Sequence, residues 1–235
     1  MFGRSSRFYD AIYHWKDYAA EARKIHEVVQ RHNPGARTLL DVACGTGLHL
    51  QHLARNYAVE GLDMNTDLLG VARERLPEVR FIEADMETMD LGQKFDAITC
   101  LFSSIGYVRT VARLNRTLKA MADHLQPGGV LIIEPWFSPA NFVEGHIGAI
   151  FVDDEDAKIA RINDGRVRDG ISLLTLHYLV GAREGISYFK EEHALGLFTH
   201  EEHLDAFREA GLSVTHDEEG LMGRGLYVGL GSAAG

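Results

Sequence analysis

The amino-acid sequence predicts an α/β fold, a mostly parallel sheet wound on both faces by helices, with a smaller antiparallel sheet inserted late in the chain. Three observations carry this. Apolar runs of four to eight residues alternate with stretches of helical period between Leu39 and Ile133, the order of successive β-α units. The runs are nearly continuous in apolar character, as expected of strands covered on both faces. After Glu134-Pro135-Trp136-Phe137 the pattern changes to about sixty residues of strand-like runs divided by glycine and charged turns, with no helical stretch among them.

Composition bounds the class. With 235 residues, 46% of them apolar, the chain can bury one large core, and it fits one α/β domain with an insertion better than two independent domains. A formal charge of −10 opposes attraction to a phosphate backbone, and no basic stripe reverses it locally, so nucleic acid is not an expected partner. No segment approaches the roughly 18 unbroken apolar residues of a membrane span. Met1 to Asp10 lacks the apolar core of a signal peptide, and a soluble, cytoplasmic protein with no membrane partner is expected. The two cysteines, Cys44 and Cys100, form neither a disulfide framework nor a metal-ligand spacing. Both read as small buried residues, and no metal is expected.

Taken in order, Gly3 to Ser6 reads as flexible, and Phe8 to Tyr13 leads into Lys16-Asp17-Tyr18. Tyr18, Ala22, Ile25 and Val29 then repeat at helical spacing up to the stop Asn33-Pro34-Gly35. A helix ahead of the first strand can fold over a ligand, which makes Tyr9 and Tyr18 either lid residues or ordinary amphipathic anchors. Leu39 to Val42 forms the first strand and breaks at Ala43-Cys44-Gly45-Thr46-Gly47 before a helix carrying Leu48, Leu50 and Leu53. In an open α/β sheet such a turn lies at the ligand edge; Gly45 and Gly47 would let a ligand approach the backbone, and free N–H groups at the helix start suit an anion.

The second strand, Ala58 to Leu62, ends at Asp63, 16 positions beyond Gly47. A carboxylate at that strand tip can accept both hydroxyl protons of a ribose; its alternative is an acidic charge ahead of the helix that starts near Asn65. Val79 to Ile82 closes on Glu83-Ala84-Asp85-Met86, where Asp85 could accept from an exocyclic amine and Met86 could pack on a flat ring, a plausible adenine site. Phe95 to Phe102 is a fourth strand, and the stripe Val111, Leu114, Leu118, Met121 and Leu125 is a core-facing helix. Gln126 to Gly129 is a turn into a fifth strand, Val130 to Ile133.

In the insertion, strands are expected at Ala149 to Val152, Lys158 to Ile162, Ser172 to Val180 and Ile186 to Ala194. Turns are expected at Asn163 to Gly165, Arg168 to Gly170 and Gly181 to Gly185. Thr199 and Glu202 make a capping box for the last helix, which accounts for His200-Glu201-Glu202-His203 without a metal. Leu212 to Thr215 and Leu226 to Leu230 complete the main sheet, the final strand antiparallel.

Asp41 to Gly47, Asp63, Asp85-Met86 and Leu125-Gln126-Pro127-Gly128-Gly129 stand in the order and at the strand ends of class I S-adenosylmethionine-dependent methyltransferases, which the chain resembles over nearly its whole length. A nicotinamide site fits less well, because Leu50 replaces the third glycine of G-x-G-x-x-G. The resemblance implies a Rossmann-like seven-stranded sheet with one reversed strand. It also implies an S-adenosylmethionine site formed by Tyr18, Ala43, Gly45, Gly47, Asp63, Met64, Asp85, Met86 and Leu101, with no metal. Lys16-Asp17-Tyr18, Phe102 to Gly106, Glu134 to Phe137, Leu197 to Thr199 and Gly223 to Leu226 further resemble the TDP-3-amino-3,6-dideoxyhexose N,N-dimethyltransferases of desosamine and mycaminose formation. That likeness implies a nucleotide held by the inserted sheet and an acceptor site lined by Tyr9, Tyr107, Trp136, Arg161 and Arg224. The inserted strands depart from it, with Asn163-Asp164, Leu173 and Ala194 where the family pattern has a Ser-His pair and arginines.

The implied organisation is a lid helix with the cofactor-binding core over residues 1–136, an inserted sheet over 137–195 and the rest of the core over 196–235. The implied activity is N-methylation of a nucleotide-linked deoxyaminosugar in antibiotic biosynthesis, with Tyr107 or Tyr9 positioning the amine. The alternatives are methylation of another small amine, hydroxyl or carboxyl acceptor, and a non-catalytic S-adenosylmethionine-binding module. The inserted sheet could pair across a homodimer or cover its own site.

Overall fold

The computed structural model of the chain describes residues 3–232. A short 3₁₀ turn, Ser6–Phe8, runs into α1 (Tyr9–Ile12) and then α2 (Tyr18–His32). Asp17 caps α2 by accepting from the Ala20 amide, and Asn33 ends it. The opening stretch is fastened where the sequence suggested flexibility. One carboxylate, Glu191, accepts from the Gly3 amide at 3.1 Å, the Ser5 amide at 2.9 Å and the Ser5 hydroxyl at 2.5 Å. Gly3 and Ser5 are held by a partner some 186 residues away, which no local pattern announces.

The core units follow as β1 (Thr38–Val42), α3 (Leu48–Leu53), β2 (Ala58–Asp63), α4 (Thr66–Arg75), β3 (Arg80–Glu83), β4 (Phe95–Cys100), α5 (Val111–Asp123) and β5 (Leu125–Ile133). After the insertion come α6 (His200–Glu209), β10 (Ser213–Asp217) and β11 (Leu226–Leu230). The seven-stranded sheet has the order β10-β11-β5-β4-β1-β2-β3, with β11 antiparallel to both neighbours and the remaining pairs parallel. Neighbouring residues on each strand serve opposite cores. Leu40, Ile98 and Leu131 pack with Leu114 and Leu118 of α5 and Phe207 of α6. Leu39, Ala97 and Val130 pack with Ile25 and Val29 of α2, Leu50 of α3 and Leu69 of α4. This two-sided burial is why the strands read as continuous apolar runs.

Gln126 to Gly129 does not precede β5 as a turn; it is a bulge within it, where the pairing jumps from Phe95 with Leu125 to Ala97 with Val130.

The insertion is a four-stranded antiparallel meander, β6 (Gly148–Asp153), β7 (Lys158–Arg168), β8 (Ile171–Ala182) and β9 (Gly185–Gly196). No turn forms at Asn163 to Gly165, because β7 stays paired with β8 through Arg168 opposite Ile171. Gly165 serves packing there: a Cβ would lie 2.9 Å from the Phe142 ring. The inner face of this sheet, with Ile159, Leu176, Tyr178 and Phe189, buries Phe8 and Ile12 in a third core. The N-terminal segment is thereby sandwiched between the insertion and the main sheet.

The capping box at Thr199 forms as expected. Behind it His203 is 2% exposed, stacked on Tyr227 with ring centroids 4.6 Å apart. Burial, reinforced by His216 and His200, pushes its pKa down to about 3. The folded state therefore favours neutral His203 while the unfolded chain takes up a proton near pH 6.5. Its stabilising contribution is complete above about pH 6.5 and lost as pH falls towards 3, a change on the order of 3 to 5 kcal/mol. Urea titrations between pH 7 and 4 should give a shallower loss of stability for His203→Leu than for the unaltered chain.

Candidate active site

The crossovers leave β1 and β4 as neighbours whose connections run to opposite sides, and the candidate site forms along the carboxyl edge of the sheet around this switch point. After β1 the backbone passes through left-handed conformations at Ala43 (φ 58°), Gly45 (φ 57°) and Gly47 (φ 76°). A Cβ at Gly45 would project into open space, so this residue leaves room for a ligand against the backbone. A Cβ at Gly47 would instead face Ala72 at 3.4 Å and Phe81 at 3.6 Å, so there the glycine serves packing behind the loop.

Asp63 fixes the loop from the tip of β2. Its two carboxylate oxygens accept from the Gly45 amide and the Asn65 amide, each at 2.8 Å. Burial raises its pKa while those amide hydrogen bonds oppose the rise. Each oxygen retains a lone pair, which leaves two acceptors for a vicinal diol. Around them Ala43, Gly45, Leu62, Met64, Leu68, Ala84 and Met86 line a mainly apolar cleft closed by Tyr9, Ser104 and Tyr107. Asp85, just past the end of the neighbouring β3, turns a carboxylate oxygen onto the Glu87 amide at 2.9 Å, capping its own turn. Asn65 uses its side chain to cap α4.

A second, smaller chamber continues from this cleft past Gly45 and is lined by Tyr18, Ala43, Thr46, Leu101 and His49. Asp41 reaches it from β1 and accepts from Thr99, its parallel-strand partner, at 2.7 Å. Burial lifts the Asp41 pKa to about 6. Behind the chamber Glu21 joins two partners, with His49 Nε2 at 2.8 Å and the Lys16 ammonium in direct contact. Burial works to raise Glu21, but the hydrogen bonds from His49 and Lys16 outweigh it and hold its pKa low. Sequence reading missed Asp41, Glu21 and His49 as a network, although Lys16-Asp17-Tyr18 and Asp41 stand within the stretches singled out.

A third cavity, of about 250 Å³, opens on the other side of Tyr9, Ser104 and Tyr107. Trp136, Arg161, His193 and Arg224 line it together with Tyr13 and Phe102. Its wall after β4 passes through left-handed Phe102 (φ 51°) and Ser103 (φ 65°), an uncommon conformation for two consecutive residues with side chains. Buried Glu134 holds that bend, accepting from the Phe102 amide at 2.6 Å, and Ser103 donates to the Pro135 carbonyl at 2.7 Å. The other Glu134 oxygen faces Arg224 at 3.4 Å. The Arg224 guanidinium lies 5.8 Å from the rings of Phe102, Trp136 and Phe137. Trp136 donates to Ser172 at 2.9 Å, and Arg161 donates to the Tyr13 hydroxyl at 3.1 Å. Arg161 and Arg224 each keep a buried Nε–H with no hydrogen-bond partner among the described residues. Two such donors in one cavity suit an anionic or polyhydroxylated ligand.

The short helix α1 bridges these chambers. Asp10 accepts from the Thr46 hydroxyl at 2.6 Å and pairs with Arg75, while Tyr9 and Tyr13, 4.8 Å apart, face the site. The Tyr107 hydroxyl meets His193 Nδ1 at 2.6 Å, a contact between the loop after β4 and the inserted sheet that sequence reading did not foresee. Of the expected residues, Tyr9, Ala43, Gly45, Asp63, Met64, Met86 and Tyr107 line the first cleft. Tyr18 and Leu101 line the small chamber, and Trp136, Arg161 and Arg224 line the third cavity.

Comparison with known proteins converges on one chemistry. Residues 39–129 match a methyltransferase domain model. The chain is 41% identical, over 99% of its length and 93% of the relative's, to a dTDP-3-amino-3,6-dideoxy-alpha-D-glucopyranose N,N-dimethyltransferase of Streptomyces fradiae. Among solved structures, Streptomyces venezuelae DesVI superposes with a TM-score of 0.93 at 37% identity, covering 99% of this chain and 100% of that one. CalS10, an amino pentose methyltransferase of Micromonospora echinaspora involved in calicheamicin biosynthesis and solved with S-adenosylmethionine bound, superposes with a TM-score of 0.87 at 38% identity over 98% and 97% of the two chains. The open face of Gly45, the spare acceptors of Asp63 and the flat apolar cleft fit S-adenosylmethionine, which is the cofactor, and among the described residues no cluster could hold a metal. The chain is thus an S-adenosylmethionine-dependent methyltransferase and belongs to the family of dTDP-aminosugar N,N-dimethyltransferases.

Proposed function

We propose that the protein dimethylates the amine of a TDP-linked deoxyaminosugar, as a soluble cytoplasmic enzyme of antibiotic biosynthesis. The observation that supports this best is the junction at Tyr9, Ser104 and Tyr107, where the cofactor cleft meets a cavity bearing two partly unpaired guanidinium groups. In this reading Tyr18, Ala43, Gly45, Asp63, Met64, Met86 and Leu101 contact the cofactor, Gly47 and Asp85 shape its loops, and Tyr9, Tyr107, Trp136, Arg161 and Arg224 contact the acceptor. Residues 1–136 and 196–235 form the catalytic core, and 137–195 cover the acceptor. The exposed row Phe151, Leu179 and Tyr188 on the outer face of the inserted sheet supports a homodimer.

Bound S-adenosylmethionine supplies a methyl group activated by its sulfonium. The protein's share of catalysis is to hold the neutral amine on the line of displacement, and such positioning is worth on the order of 7 to 11 kcal/mol of barrier. Tyr9 and Tyr107 stand where that amine must enter, both kept as neutral phenols by burial, which raises their pKa values. Asp63 is committed to two backbone amides and Asp10, beside Tyr9, to Thr46 and Arg75, so in this reading proximity carries the reaction and the ammonium proton of the product leaves to solvent.

Incubation with S-adenosylmethionine and a TDP-3-amino-3,6-dideoxyhexose, followed by mass spectrometry, should show one and then two methyl groups added. Cofactor binding without any transfer to this sugar, or transfer only to acceptors that lack a nucleotide, would overturn the assignment.

A further inference from the structure

We propose that His193 is a positioning residue that fixes the polarity of the Tyr107 hydroxyl, so that Tyr107 presents lone pairs, and no proton, to the acceptor amine. The proposal rests on amine methylation as the reaction. His193 projects from β9 and is 3% exposed, with Nδ1 at 2.6 Å from the Tyr107 hydroxyl and Nε2 at 3.7 Å from a carboxylate oxygen of Glu191. A neutral imidazole carries one proton, and which nitrogen holds it is set by the neighbours of the other. The Glu191 carboxylate favours the proton on Nε2, which leaves Nδ1 as a bare acceptor. Tyr107 must then donate to Nδ1, and its oxygen lone pairs turn towards the junction of the cofactor cleft and the acceptor cavity.

The consequence for an amine is specific. A primary or secondary amine has both an N–H to donate to Tyr107 and a lone pair to aim at the methyl group. A tertiary amine has no N–H and loses the anchor. The same contact thus serves two successive transfers, and the dimethylammonium formed by the second gives up its anchor once its N–H proton has passed to solvent. His193 is ill suited to act as the base: burial lowers its pKa below that of a free imidazole, which weakens it as a proton acceptor. Glu191 is itself fixed by the amides of Gly3 and Ser5 and the Ser5 hydroxyl, so the relay starts from a rigid carboxylate.

Three readouts test this on the full chain. His193→Leu should lower kcat for the amine about 10- to 100-fold, the scale on which misplacement of reacting groups acts, with the affinity for S-adenosylhomocysteine unchanged. Tyr107→Phe should lower kcat to a similar extent, the double variant should be no slower than the slower single one, and His193→Gln, whose carbonyl can accept from Tyr107, should recover part of the rate. Full kcat in His193→Leu, or losses that multiply, would overturn the proposal. Nitrogen-15 shifts of His193 read the tautomer without any acceptor: a proton on Nε2 supports the proposal and a proton on Nδ1 overturns it. If the unaltered enzyme does not methylate the aminosugar, the proposed function fails while the nitrogen shifts still decide the hydrogen-bond polarity.

Discussion

Asp63→Ala should weaken S-adenosylhomocysteine binding by about 100- to 1000-fold, measured by titration calorimetry. A hydrogen bond to a charged group contributes about 1.5 to 3 kcal/mol, and the Asp63 carboxylate offers two such bonds to a ribose diol. The loss is compounded within the protein. Asp63 accepts from the Gly45 and Asn65 amides at 2.8 Å each, so alanine leaves both donors without their partner and frees the loop proposed to hold the cofactor. Asp63→Asn separates these contributions. It keeps one oxygen acceptor but turns an N–H₂ group towards a backbone N–H or a ribose hydroxyl, so affinity should fall less than with alanine while the loop stays partly held. Equal affinity in all three proteins would place the ribose elsewhere.

The elements around Asp63 were legible because each is set by local chemistry. A two-sided apolar run, a glycine break and a carboxylate at a strand tip are all contiguous in the sequence, and they suffice to place β1, the loop and β2 in order. The acceptor side was legible only as single residues. Tyr107 with His193, Glu191 with Ser5, and Glu134 with Arg224 join positions 86, 186 and 90 residues apart. Nothing in the neighbourhood of either partner encodes the distance between them. Asn163 to Gly165 failed for a related reason. Turn propensity is a weak local preference, and a strand paired along its length with β8 overrides it. The Gly3 to Ser6 stretch has no apolar side chain to bury, which reads as mobile, yet its donors meet a carboxylate from β9 that the topology delivers.

Glu134→Ala should destabilise the fold by about 3 to 5 kcal/mol, the usual cost of removing one partner from a buried ion pair. Glu134 is fully buried and serves two groups that have no substitute. The Phe102 amide donates to it at 2.6 Å, and the Arg224 guanidinium stands 3.4 Å from its other oxygen. Alanine would strand a charge whose side chain is 13% exposed and remove the clamp on the left-handed Phe102-Ser103 bend. Glu134→Gln keeps an oxygen for the Phe102 amide and should cost less, since only the charge pairing is lost. Arg224→Ala should be destabilised as well, because it leaves the Glu134 carboxylate buried without its cation, and it should also raise KM for the acceptor. The combination Glu134→Ala with Arg224→Ala removes both charges and should recover part of the stability lost by Glu134→Ala alone, whatever it does to turnover. Urea unfolding monitored by circular dichroism reads all four variants. A shared slope with a lowered midpoint would locate the effect in the native pair, and an additive double variant would show that the two side chains do not act as one.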